Sequence, residues 1–196
     1  KLSSTMEDID LNFDDFVARV NADLVGKYVN IASRAAGFIE KRFAGKLAAA
    51  DADLPALQAI HQAAPRIAEL YEHREFSKAI REIMTLTDGA NQYVDSIKPW
   101  ELAKQDGKDE ALHAACSNAL NLFRLLTVLL KPVLPGLAAQ VETFMNLPPL
   151  TWSDSMSCLD QGHTINSYRH LLTRVDPKLI DALIAANKTS LAPTEN

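Results

Sequence analysis

The stretch Ala22 to Phe43 constrains this chain more than any other. At about 100° per residue, Leu24, Val25, Tyr28, Val29, Ile31, Ala32, Ala35, Ala36, Phe38, Ile39 and Phe43 fill one broad sector. That pattern predicts a long helix buried along much of one side. Lys27, Asn30, Arg34 and Lys41 fall in a narrow stripe at its edge. Asn30 and Arg34 are four apart, so their side chains are neighbours on the helix surface. A planar amide beside a guanidinium fork can read the edge of a nucleobase. By spacing alone, the plainer reading of such a stripe is a solvated helix face.

The rest of the chain also reads as helix. Residues 1–11 form an acidic lead-in. Asn12 is placed to cap a helix that starts at Phe13, with Asp14 and Asp15 in its first turn, and Asn21 and Asp23 mark a kink or a fresh cap before the long helix. Gly45 is a plausible stop. Asp51 or Asp53 is expected to cap the next helix, which has Pro55 in its first turn and runs to about His73. Pro65 inside it predicts a kink or a split. A third helix follows from Glu75 to Ile97. Pro99 then starts a short helix to about Gln105, with Trp100 on its first turn. Glu110 to Leu130 is the most apolar helix, and Pro135 opens another to about Met145. Residues 148–166 read as loop, Asn166 to Arg174 as helix, and Asp176-Pro177 as the capped start of a last helix to about Asn187. No strand pattern, repeat or low-complexity tract is present. The expected fold class is all-α, a bundle of about five longer helices with a C-terminal helical extension. Its expected parts are 1–146 for the bundle, 147–187 for the loop and extension, and 188–196 for a disordered tail.

Composition narrows the function. The chain has 196 residues, of which 47% are apolar, and a net charge of -5. That balance argues against holding nucleic acid by bulk electrostatics, although a small basic patch on an acidic body is compatible with it. Two cysteines, Cys116 and Cys158, are too few for a disulfide framework, so a reducing compartment, the cytoplasm, is expected. No uncharged apolar run approaches a membrane span. Residue 1 is Lys, not an initiator Met, and a fragment of a larger protein is expected.

Catalytic signals are missing. There is no Gly-rich phosphate loop, no Cys-x-x-Cys and no Gly-x-Ser-x-Gly. His163 and His170 are seven apart and could share a helix face, but no ligand at metal spacing joins them. His113 and Cys116 are three apart and lack a third group to orient them. Neither metal nor catalytic residue is expected. Trp100 stands out instead. Lys98 and Glu101 flank it and Pro99 fixes the backbone, so a stacking platform for a nucleobase is expected there. Trp152, in a proline-rich loop, reads as a packing plug. On these residues alone, a helical scaffold or protein-interaction bundle without nucleic-acid binding remains the alternative.

Several strings occur together in order. They are Asp8-Ile-Asp-Leu-Asn12, Val29-Asn30-Ile-Ala-Ser-Arg34, Arg74-Glu-Phe76, Ala79-Ile-Arg81-Glu-Ile-Met, Ala90-Asn91, Tyr93-Val-Asp95, Pro99-Trp100, Leu122-Phe-Arg124 and Lys131-Pro-Val-Leu-Pro135. Over residues 1–187 the chain resembles the C-terminal anticodon-binding helical domain of the bacterial methionyl-tRNA synthetases, class I enzymes. The resemblance implies binding of the CAU anticodon loop of methionine tRNAs. It implies that Asn30 and Arg34 hydrogen-bond anticodon bases and that the Trp100 indole, set by Pro99, stacks on the first one, a cytosine. Asn91 and Asp95 would support that element. It further implies an upstream catalytic domain that uses ATP with magnesium, carries zinc, and is absent from this stretch, so no cofactor is expected here. Gly162 to Val175 resembles the family segment that folds back toward that domain, with Ser167 and Leu172 departing from the pattern.

Overall fold

The computed structural model describes residues 12–190. The acidic lead-in and the end of the tail lie outside the described residues. Helix α1 spans Phe13–Arg19, and Asn12 caps it by accepting the Asp15 N–H at 3.0 Å. The chain then widens into a π-helical segment, Val20–Val29, before tightening into α2, Asn30–Arg42. The long helix expected from the apolar sector is therefore present. The break expected near Asn21 appears as ten residues of π-helix, a state usually confined to a single turn and often found at functional sites. Phe43 ends α2. Ala44 and Gly45 both take positive φ, and Gly45 donates to the Ile39 carbonyl.

Helix α3 spans Pro55–Glu72 and α4 spans Phe76–Ile97, antiparallel neighbours joined through Arg74 at φ 60. One expectation fails here and another is narrowed. Neither Asp51 nor Asp53 caps α3: Leu54 holds the N-cap position, and Asp51 instead accepts the Asp53 N–H in its own turn. Pro65 does not split α3. It sits on the exposed side, where one lost backbone bond counts less than the burial of Leu57, Ile60, Ala64 and Ile67 along the inner face. Helix α5, Pro99–Leu102, is one turn; α6 spans Asp109–Leu130 and α7 spans Pro135–Phe144.

Helix α6 is the axis of the bundle. Every residue from Ala115 to Leu130 is buried, and α2, α3 and α4 all pack on it. A helix apolar all round belongs in the interior, but this one also carries Ser117, Asn118, Asn121, Arg124 and Thr127 inward. Each finds a partner. Ser117 accepts from the Ala48 N–H, and Asn118 accepts from the Asp51 N–H while donating to Tyr93. Asn121 accepts from the Leu159 N–H, and Arg124 donates to the Asp154 and Ser157 carbonyls. Thr127 donates to Phe123, so the fully buried Tyr28 hydroxyl donates to Thr127 at 2.6 Å.

The expected helix Asn166 to Arg174 does not form, and His163 and His170 share no helix face. The segment runs as an extended strap because the bundle takes its backbone groups. Ile165 N–H donates to Gly45, Asn166 N–H to Phe144, and Val175 N–H to the Asn21 side chain. A Cβ on Gly45 would come within 3.1 Å of the Ile165 carbonyl, so the strap's close approach needs glycine there. Helix α8, Pro177–Ser190, follows and touches α1. It continues three residues past the expected end at Asn187, so residues 188–190, expected in the tail, are helical.

Tyr28→Phe is expected to lower unfolding free energy by about 1–2 kcal/mol, since it removes one buried hydrogen bond and little volume; urea denaturation measures it. Burial pushes Tyr28 up and Tyr71 up to about 12. Both bind their proton more tightly folded than unfolded, so their stabilisation is complete below the unfolded value of about 10 and falls as pH rises above it. Denaturation followed between pH 8 and 11 is expected to show this loss, and Tyr71→Phe to reduce it.

Candidate nucleic-acid interface

Lys98 turns the chain between α4 and α5 in a left-handed conformation, φ 50. Pro99 fills the first position of α5, buried, where its missing N–H costs nothing. The sharp turn sets Trp100 beside α2. The indole is half-buried against the core, and the Arg34 guanidinium carbon lies 5.3 Å from its ring centroid, a cation–π contact. The same guanidinium pairs with Asp95 at 2.5 Å. Arg34, Asp95 and Trp100 thus form one cluster contributed by α2, α4 and α5, with Pro99 beneath it.

Asn30 begins α2 one turn from Arg34, and Ser33 donates to its backbone and side-chain oxygens at 2.9 and 3.4 Å. Asn91 plays a different part from the others. Its amide donates to the Lys27 carbonyl at 3.2 Å and to the Thr87 carbonyl at 3.0 Å, stitching α4 to the end of the π-helical segment. Lys27 reaches across to Asp88 at 2.8 Å, and this hydrogen bond raises its pKa. Two rows therefore face each other: Lys27 and Arg34 on one helix, Asp88 and Asp95 on α4, with Asn91 between.

Sequence reading missed Asp88. Its signal was the spacing 88, 91 and 95, a polar row on α4 one face wide. At the far end of α2, Arg42 binds Asp109 and the Ala103 carbonyl, tying the short helix to the start of α6. His113 stacks on Phe43 with centroids 4.0 Å apart and shares a hydrogen bond with the Lys46 carbonyl.

The cluster's chemistry suits contact with flat groups. Two cations face two carboxylates, so it offers no net positive field to phosphates. A ring face and fixed amide and guanidinium groups offer stacking and edge hydrogen bonds. Nucleophilic chemistry finds no support. Cys116 is buried and its thiol is pushed up to about 12 by burial, while His113 is occupied at Lys46. Among the described residues, no three His, Cys, Asp or Glu groups could hold a metal ion, and no helix is long and apolar enough to cross a membrane.

The fold is shared with solved synthetases. The free-state methionyl-tRNA synthetase of Mycobacterium tuberculosis superposes with a TM-score of 0.77 at 20% identity, over 85% of this chain and 35% of that one. The form of that enzyme bound by methionyl-adenylate gives 0.73 over 82% of this chain and 33% of that one, again at 20% identity. These likenesses define the class of fold, a helical bundle matching about a third of that enzyme. Residues 43–183 match the family described as the anticodon binding domain of methionyl tRNA ligase, and the chain belongs to that family. The match holds Asn91, Asp95, Pro99 and Trp100, whereas Asn30 and Arg34 lie upstream of it. Methionine–tRNA ligase of Azoarcus sp. (strain BH72) is 61% identical over 98% of this chain and 27% of its own length. The ligase of Cupriavidus necator is 58% identical over 99% and 28%. The chain thus spans about a quarter of the length of the curated relatives it matches, corresponding to their C-terminal portion.

A thiol reagent is expected to label Cys158, which is half-buried, well before the fully buried Cys116. Counting modified thiols in native buffer against urea should give one fast group in the first and two in the second.

Proposed function

We propose that this chain reads the CAU anticodon loop of methionine tRNAs on behalf of a methionine–tRNA ligase. The carrying observation is the Arg34–Asp95–Trp100 cluster, in which an ion pair fixes a guanidinium beside an indole. The first anticodon base, a cytosine, stacks on Trp100. Arg34 and Asn30 check its edge and that of its neighbour. Because the Arg34 guanidinium already lies over one face of the ring, the incoming base either takes the other face or displaces it. Asp95 holds Arg34 in register, Pro99 fixes the indole, and Asn91 braces the two helices. Family membership and the conformity of these residues to the resemblance support the reading.

In this scheme the remaining three quarters of the enzyme supplies the catalytic domain, with ATP, magnesium and zinc, and joins methionine to the tRNA. This stretch supplies no catalytic group and holds no cofactor. It works in the cytoplasm, consistent with two free cysteines.

Titration of an anticodon stem-loop into the protein tests this. Trp100→Ala is expected to weaken binding by about 1–3 kcal/mol, the worth of one base stack. Arg34→Ala is expected to relax discrimination against stem-loops altered at the first base. Unchanged affinity for Trp100→Ala would overturn the stacking role; uniform weakening across loops for Arg34→Ala would mark a phosphate contact instead. With charges balanced in the cluster, affinity should fall only shallowly with salt, with a slope on the order of that for one or two phosphates neutralised.

A further inference from the structure

Helix α2 carries a glycine in its interior that its packing does not require. A Cβ on Gly37 would meet no atom of another segment within 4 Å, so close helix packing does not call for glycine there. A glycine inside a helix lowers stability relative to alanine, and within the bundle this cost has no return. Its place on the helix supplies one. Arg34, Gly37 and Lys41 are three and four apart, hence on one side of α2. From Arg34, Gly37 lies about 4.5 Å and Lys41 about 10.5 Å further along the axis, in the direction away from Asn30. Arg34 is already engaged by Asp95 and Trp100. Lys41 is exposed, and among the described residues no ion pair holds it. The adjoining carboxylate, Glu40, accepts a hydrogen bond from Ser167 of the strap at 2.8 Å.

We propose that the ribose–phosphate backbone of the anticodon loop crosses α2 over Gly37 and sets a phosphate on Lys41. The inference rests on base reading at Trp100 and adds the part of the RNA that adjoins the stacked base. Glycine lets a ligand come down onto the helix backbone where any side chain would hold it off. The Lys41 ammonium then supplies a point charge on a flexible stem, which suits a phosphate without demanding one fixed geometry. Such a contact carries no sequence information. It sets the register in which Asn30 and Arg34 meet the bases. It also places a phosphate-binding cation outside the charge-balanced cluster.

The test titrates a CAU anticodon stem-loop into the whole chain and follows the melting of each variant. Gly37→Ala is expected to raise the melting temperature, because the space is open and alanine favours helix. It should nevertheless weaken binding several-fold, and Gly37→Gln should weaken it further. Gly89→Ala is the control. Gly89 of α4 is equally open but stands about 100° around its helix from Asp88, off the row that faces α2. Its replacement should raise melting and leave binding unchanged. Lys41→Ala is expected to weaken stem-loops with and without a first-base change equally, and to lessen the slope of log affinity against log salt by about 0.7, one single-stranded phosphate. Loss of binding with Trp100→Ala but none with Gly37→Gln and Lys41→Ala overturns the backbone path and leaves the base reading standing. No loss with Trp100→Ala overturns both. Equal losses for Gly37→Ala and Gly89→Ala, or a Lys41→Ala loss with an unchanged salt slope, also overturn the path.

Discussion

The structure depends on one constraint: α6 is buried on every side while carrying polar side chains at five inward positions. An unpaired buried polar group costs on the order of 1–3 kcal/mol, so five of them must be answered. Most of the answers come from connecting segments, with Tyr28 and Tyr93 on neighbouring helices supplying the rest. Backbone N–H groups of Ala48, Asp51 and Leu159, and carbonyls of Asp154 and Ser157, are drawn to Ser117, Asn118, Asn121 and Arg124. The same demand that the interior be satisfied therefore fixes the course of the loops. Arg124 shows the tension: desolvation lowers its pKa while Asp154 raises it, and its Nε still lacks a partner.

Rigid packing below makes the cluster above usable. Arg34 adjoins the fully buried Ala35 and lies about one turn from the fully buried Ile31, and Asp95 adjoins the buried Val94. Their backbones cannot drift, so a short ion pair and a ring contact suffice to aim the guanidinium. The balanced charges of Lys27, Arg34, Asp88 and Asp95 also resolve an apparent conflict, since a chain of net charge -5 can present a binding surface when that surface relies on stacking and edge contacts. Each exposed pair contributes little stability. Its value is orientation.

Legibility in the sequence followed periodicity. Helices α2, α3, α4, α6 and α7 were readable to within a few residues because each repeats apolar residues at helical spacing. Asn12, Pro55, Pro99 and Pro177 marked starts through local backbone chemistry that needs no tertiary help. The strap over Asn166–Arg174 was misread because its helical spacing was outweighed by partners at Gly45, Phe144 and Asn21, remote in sequence. The Asp51/Asp53 cap failed, and Pro65 left α3 unsplit, for the same reason: local rules lost to burial of Leu54, Leu57 and Ile60.

The sequence by itself determined an all-α bundle, a polar pair at Asn30 and Arg34 and a proline-fixed indole at Trp100, since helix periodicity and proline geometry are properties of neighbouring residues. Only the tertiary structure decided that Asp95 pairs with Arg34, that Asp88 joins the row, that Asn91 braces and that the strap is extended. Those outcomes depend on which groups meet from distant parts of the chain, and no local pattern encodes a distance between helices.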